Sequence, residues 1–266
     1  MTFLFWNLGH PSEAQALLPR LARVHAADVV IVAECLDIAT VQSALNEPDT
    51  QYYLSPGRSR VEVFTRFSES YCRTVEDHHL YTLRALEIPG VLPLLFAAAH
   101  LPSGLQTPLE SRNEHCRSFA RRVHAAEAAL GHRNTVVIGD FNLNPFDAGI
   151  AFAGGFHAVS DRRLAARGAR IIQGEEFPFF YNPMWRFFGD FNQAPGSYYY
   201  RRADHTEYFW HLYDQVLIRP DLLRYFRDDG IALPATVDGI GLLNRVGQPD
   251  RRTASDHLPL VLRLHL

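Results

Sequence analysis

The 266-residue sequence contains no lysine; all 26 basic residues are arginine. This is a compositional bias, though arginine also suits bidentate contacts to phosphate oxygens. Positive charge is not in excess. The 29 acidic residues leave a formal net charge of −3, so no global basic footprint argues for nucleic acid, and none excludes it. Cysteine is scarce: Cys35, Cys72 and Cys116 are scattered and odd in number. That excludes a disulfide framework and a thiolate metal site, and fits free thiols in a reducing compartment. No apolar stretch approaches membrane-spanning length, and the chain opens on a strand-like run rather than a basic and then apolar leader. The expectation is a cytoplasmic protein with no membrane partner. Repeats, low-complexity linkers and composition boundaries are also absent, so residues 1–266 read as a single domain with one sizeable core. Oligomeric state stays open.

What is present is a series of apolar, β-branched runs, each delivering a polar group. Residues 2–6 lead to Asn7 and a Gly9 turn, 28–33 to Glu34, and 92–99 to His100. Residues 134–138 lead into Gly139-Asp140-Phe141-Asn142, residues 208–218 carry Asp214, and Asp256-His257 precede a final strand over 258–264. Strand residues alternate faces, so Asp140 and Asn142 are expected to point the same way. Helices are expected after Ser12, which can cap the first, over 38–45, over 110–130 where Gly131 ends the pattern, and as a short piece over 221–227. Residues 51–54, 60–67, 71–75 and 80–88 read as short antiparallel strands. The predicted fold is α+β, a four-layer α/β-β/α sandwich of two mixed sheets with helices on the outer faces. An aromatic-rich insertion is expected at about 155–207.

Trp6-Asn7, the strand ending in Glu34, His100-Leu101, the Gly-Asp-Phe-Asn run, Tyr213-Asp214-Gln215-Val216-Leu217-Ile218 and Ser255-Asp256-His257-Leu258-Pro259 occur in one order. Together they resemble the endonuclease/exonuclease/phosphatase superfamily. That group includes pancreatic-type deoxyribonucleases, apurinic endonucleases, sphingomyelinases, inositol-phosphate 5-phosphatases and deadenylases. The likeness runs from Asn7 to His257, and the Gly-Asp-Phe-Asn and Ser-Asp-His elements are its most specific parts. It implies a metal-dependent phosphoester hydrolase with Glu34 as main ligand of Mg²⁺ or Mn²⁺, and Asp256 and Asn7 nearby. It implies that Asp140 orients or deprotonates the attacking water while Asn142 holds that water or a phosphate oxygen. His257 would donate to a non-bridging oxygen, Asp214 would pair with and orient His257, and His100 would be a second donor. Arg112 is a candidate phosphate contact or a solvated helix residue. The segment Tyr198 to Arg202 in the aromatic block, with Tyr199 and Arg201 as its candidate contacts, could stack bases and pair phosphates, or wall a small pocket.

Gly-Asp-Phe-Asn occurs twice, at 139–142 and 189–192. Only the first follows an apolar strand, so catalysis is assigned there and Asp190 and Asn192 to a loop. Among subfamilies, Ala33 stands where DNA-cutting members commonly carry Gln. Asn7-Leu8-Gly9-His10 and Glu34-Cys35-Leu36 depart from the apurinic-endonuclease pattern. The absence of lysine departs from the inositol-phosphatase pattern. The reading is a nuclease acting on DNA or RNA. The alternatives are a phosphatase or phosphodiesterase on a small phosphorylated molecule such as a nucleotide or sugar phosphate, and an inactive member that only binds. The remaining histidines read as structural. His78 and His79 should face opposite sides of a strand, His115 and His124 should be solvated, and of His205 and His211 the latter could reach the site rim.

Overall fold

The computed structural model describes residues 1–9, 12–46, 50–189, 193–203, 205 and 207–266. The Ser12 side chain and residues 190–192 lie outside the described residues, and with them the expected Ser12 cap and the loop assignment of Asp190 and Asn192.

The continuously apolar runs become strands buried on both faces. β1 (Thr2–Asn7) and β2 (Val29–Ala33) are buried throughout. Alternation splits each strand between two cores: Phe3, Phe5, Val29 and Ile31 pack between the sheets, while Leu4, Trp6, Val30 and Val32 pack outward. Their outward partners are Leu17, Leu18 and Leu21 of α1 (Ser12–Val24) and Val41 and Leu45 of α2 (Ile38–Leu45). Asp37 caps α2 by accepting from the Thr40 N–H at 3.0 Å.

A first sheet of six strands also holds β3 (Tyr53–Ser55), β4 (Val61–Thr65), Phe226–Ala232 and Leu260–Leu264, the last pairing antiparallel with β1. A second, seven-stranded sheet runs β5 (Cys72–His78), β6 (Tyr81–Leu86), β7 (Leu94–His100), β8 (Thr135–Asp140), then Asp214–Ile218, Phe180–Tyr181 and Ala158–Val159. Both sheets are mixed: β1 with β2 and β7 with β8 are parallel, and most other pairs antiparallel. The outer face of the second sheet buries Leu95, Ala97 and Val137 against Cys116, Phe119 and Val123 of α3 (Leu109–Leu130). The layers are therefore helix, sheet, sheet, helix. Gly131, at φ +72°, ends α3 in the left-handed conformation.

This topology gathers the polar strand ends. The register places His100 opposite Asp140 and Asp140 opposite Asp214 on neighbouring strands. In the first sheet Asn7 pairs with Ala33, so Glu34 emerges beside it. The two sheets meet at this rim through the Asn7 Nδ2–Asp140 Oδ2 hydrogen bond of 3.0 Å.

Three expectations need correction. The helix over 221–227 is a 3-10 turn (Pro220–Tyr225), and Arg227 instead belongs to the strand Phe226–Ala232. Its exposed Arg227, Asp228 and Asp229 and a register shift obscure the strand period. His78 and His79 do not diverge, because the strand ends at His78 and the chain turns. Their rings lie 4.2 Å apart, and His78 stacks on Tyr81. His124 is half-buried against Phe180.

Candidate active site

Asp140 closes β8 and Asp214 opens its antiparallel neighbour; both side chains are buried. His257 arrives from the loop before the last strand, and its Nδ1 lies 2.8 Å from Asp214 Oδ2. Ligand atoms of Asp140, Asp214 and His257 fall within 4.8 Å of one another. Burial raises the Asp140 carboxyl pKa, and the Asp214 charge raises it further. Burial opposes the His257 cation, yet Asp214, with Asp140 and Asp256 behind it, outweighs burial and lifts the imidazole to about 10. Asp214 thus holds the Nδ1 side of His257 and favours its cationic form.

The sequence elements that flank these residues hold them. Trp6 Nε1 donates to the His257 carbonyl at 2.8 Å. Ser255 Oγ donates to the Asn7 carbonyl at 2.7 Å and accepts the His257 N–H at 3.0 Å. Ser197 Oγ accepts the Asp214 N–H, and its carbonyl accepts from Leu258 N–H. Trp6, Ser255 and Ser197 were not singled out from sequence. The signal lay in the motifs themselves, where Trp6 precedes Asn7 and Ser255 precedes Asp256.

A cavity of about 430 Å³ opens onto this group, and Glu34, His100, Asp256, Asn7 and Asn142 line it. Glu34 has φ +54°, a left-handed turn immediately after β2. Its Oε1 is 3.6 Å from His100 Nε2, which in turn lies 3.8 Å from Asp140 Oδ2. Gly9 also needs its conformation: at φ +58° a Cβ there would collide with Asp256 Oδ1. Glu34 and Asp256 are half-buried hard-oxygen donors, a set that suits Mg²⁺ or Mn²⁺, which keeps several waters. The compact buried cluster suits a cation less well, because Asp214 and His257 are already hydrogen-bonded to each other. Asn7 spends its amide donor on Asp140, while its Oδ1 accepts the Gly9 N–H at 3.0 Å and retains one lone pair.

Asn142 lines the same cavity, though not by strand alternation. The strand ends at Asp140, and Asn142 turns to φ +50°. Its backbone N–H donates to Asp140 Oδ1 at 2.8 Å and its Nδ2 to the Leu101 carbonyl at 2.9 Å. Arg112 reaches the rim and donates through Nη1 to the Asn142 carbonyl. Tyr199 lines the cavity, whereas Arg201 is exposed and lines neither it nor the neighbouring one. The aromatic block divides in two. Phe179, Phe180 and Phe187 are buried, and Tyr198, Tyr199 and Tyr200 form a wall. Tyr198 stands with its ring 4.5 Å from that of His257. His211 is buried at the edge of a second cavity that adjoins the first, and His205 is exposed. Gln248 and Arg251 of the loop before His257 also line the first cavity, with no sequence signal to mark them.

Solved structures share this architecture. The catalytic domain of human Nocturnin, with a bound sulfate anion, aligns at a TM-score of 0.59 and 14% identity over 98% of this chain and 93% of that one. An AP endonuclease from Archaeoglobus fulgidus aligns at 0.58 and 11% identity over 100% of both. D. rerio TDP2 complexed with single strand DNA product aligns at 0.55 and 17% identity over 98% and 97%. At these identities the likeness establishes the fold. No curated relative matches the sequence. Residues 4–257 match the Endonuclease/Exonuclease/phosphatase family, and the chain belongs to it.

Proposed function

We propose that this chain is a divalent-metal-dependent phosphoester hydrolase whose substrates are the phosphodiesters of DNA or RNA. The observation that carries the reading is the 2.8 Å His257–Asp214 pair beside buried Asp140, on the cavity that Glu34 and Asp256 also line. A general base, a fixed cationic donor and a hard-oxygen cation site thus surround one space.

Glu34 and Asp256, with Asn7 Oδ1, would hold Mg²⁺ or Mn²⁺; bound there, the ion supplies charge stabilisation to the phosphoryl and leaving oxygens. The remaining chemistry belongs to the side chains. Asp140, fixed by Asn7 and the Asn142 N–H, accepts a proton from water as the water oxygen bonds to phosphorus. The opposite P–O bond breaks, and the leaving oxygen departs with its electron pair and is protonated from solvent. His257 presents Nε2–H to a non-bridging oxygen because Asp214 holds its Nδ1 side. His100 Nε2 is a second donor on the same wall. Arg112 positions Asn142 through its carbonyl.

A small phosphoester is the second reading, favoured by Tyr198, Tyr199 and Tyr200, which wall the cavity rather than leave an open groove. The test offers the purified protein single- and double-stranded DNA, RNA and small phosphoesters with Mg²⁺ or Mn²⁺. EDTA-sensitive shortening of a polymer, lost in Asp140→Asn, is expected. Turnover of small esters alone would select the second reading. Turnover retained by Asp140→Asn would overturn the assignment of roles.

A further inference from the structure

A second cavity of about 390 Å³ adjoins the first and shares Tyr198, Tyr200 and Asn142 with it. Cavities of this size accept compact organic ligands. We propose that it receives a nucleobase, one carrying an exocyclic amino group, from the substrate whose phosphate lies in the first cavity. The proposal rests on the phosphoester reading and specifies its substrate class.

Flat rings form the walls. Tyr198 stacks on Tyr213 at 5.5 Å and 26°, and Tyr213 stacks on His211 at 4.5 Å and 23°. With His257 against Tyr198, an aromatic ladder runs from the candidate catalytic histidine into the second cavity. Tyr208 stands at the mouth, 61% exposed, yet it packs on Phe146 at 5.3 Å, and Phe146 packs in turn on Trp185 and Phe188. An exposed ring braced from behind is a platform for stacking, and stacking serves any base.

The polar end selects among bases. Asn144 Oδ1 accepts the Leu212 N–H, so its amide donates to His211 Nδ1. The ring proton of His211 therefore sits on Nε2 and goes to Glu207 Oε1 at 2.9 Å, which also accepts the Phe209 N–H. His211 is thereby saturated and positions Glu207, whose second oxygen accepts no hydrogen bond among the described residues. Asp147 adds another carboxylate, one oxygen of which takes the Asn144 N–H at 2.7 Å. An acceptor-rich end matches an amino donor rather than the carbonyl-rich edge of uracil or thymine. Arg112 also lines this cavity, where its guanidinium, held through Nη1 by the Asn142 carbonyl, adds positive charge to the wall.

Calorimetric titration of the full chain in EDTA, which suppresses turnover, tests this with AMP, CMP, UMP, ribose 5-phosphate and inorganic phosphate. AMP and CMP are expected to bind at least about tenfold more tightly than ribose 5-phosphate, with UMP between them. Tyr208→Ala should weaken AMP about tenfold, and Glu207→Gln should erase the preference for AMP and CMP over UMP. Glu207→Gln can perturb its loop through His211; Tyr208→Ala, at an exposed ring, keeps the test decisive. Equal binding of AMP and ribose 5-phosphate, or no effect of Tyr208→Ala on AMP, would overturn the proposal. The two readings fail separately. Metal-dependent hydrolysis that ignores the base leaves the phosphoesterase and removes the base site. Tyr208-dependent AMP binding without hydrolysis of any ester does the reverse.

Discussion

At the scale of single residues, the centre sets stability against function. Asp140 and Asp214 are buried carboxylates that interact unfavourably, and Asp214 Oδ1 has no hydrogen-bond partner among the described residues. Removing one charge relieves that repulsion. Asp140→Asn, whose NH₂ must face one of the two donors that Asp140 accepts, is therefore expected to lower kcat by on the order of 10³-fold with little net change in melting temperature. Turnover and thermal unfolding, measured on the same preparation, check both halves; a large loss of stability would mean that Asp140 is chiefly structural. Asp214→Asn should act through its neighbour. Without the carboxylate the His257 imidazolium loses the charge that sustains it, and kcat falls by on the order of 10²–10⁴-fold. The NMR titration of His257 reads this directly, as a pKa moved down from that of the native protein. Glu34 is tested without activity. A saturating cation bound only to the folded state adds about 2.7 kcal/mol at one hundred times Kd, so Mg²⁺ should raise the melting temperature of the native chain and not that of Glu34→Gln. Equal Mg²⁺ shifts in both would remove Glu34 as a ligand.

At the scale of elements, the approach of β7 to β8 sets the spacing of His100 and Asp140. Gly139 permits it: its φ is +152°, and a Cβ would run into the Ala99 carbonyl. Gly139→Ala should cost about 3 kcal/mol through that clash and the backbone strain, lowering the melting temperature by several degrees. Thermal unfolding measures the loss, and a change within half a degree would contradict it. The elements carrying the site were legible because both faces of β1, β2, β7 and β8 are buried, which leaves an unbroken apolar run ending at the polar residue. Phe226–Ala232 was hidden because three consecutive exposed polar residues and a register shift erase the period of two. The place of Asn142 could not follow from alternation, since a left-handed residue breaks the strand before it. Gln248 and Arg251 reach the site by long-range loop packing, which no local pattern encodes.

At the scale of the molecule, helix α3 is tied to the second sheet by buried chemistry that controls acid stability. Arg219 forms a bidentate pair with Glu127 of α3 and lies over Phe180 at 3.8 Å. His124, one turn before Glu127, packs against the same ring. Burial, then the Arg219 charge, lowers the His124 pKa from 6.5 to about 4, with Glu127 partly opposing and Arg133 reinforcing. Between those values the unfolded chain binds a proton at His124 that the folded chain refuses. Stability therefore falls as pH drops from about 6.5 toward 4, with a limiting slope of about 1.4 kcal/mol per pH unit for this one group. Asp140, Asp147 and Glu62 work in the opposite sense, because their raised values make the folded state bind protons first. The native profile alone is thus a mixture, and the difference between native and His124→Gln isolates the histidine. Urea unfolding from pH 7 to 4 should show the two proteins diverging, the variant losing less stability at each step below pH 6.5. Parallel profiles would mean that His124 titrates normally and that α3 does not exclude water from the Arg219 pair.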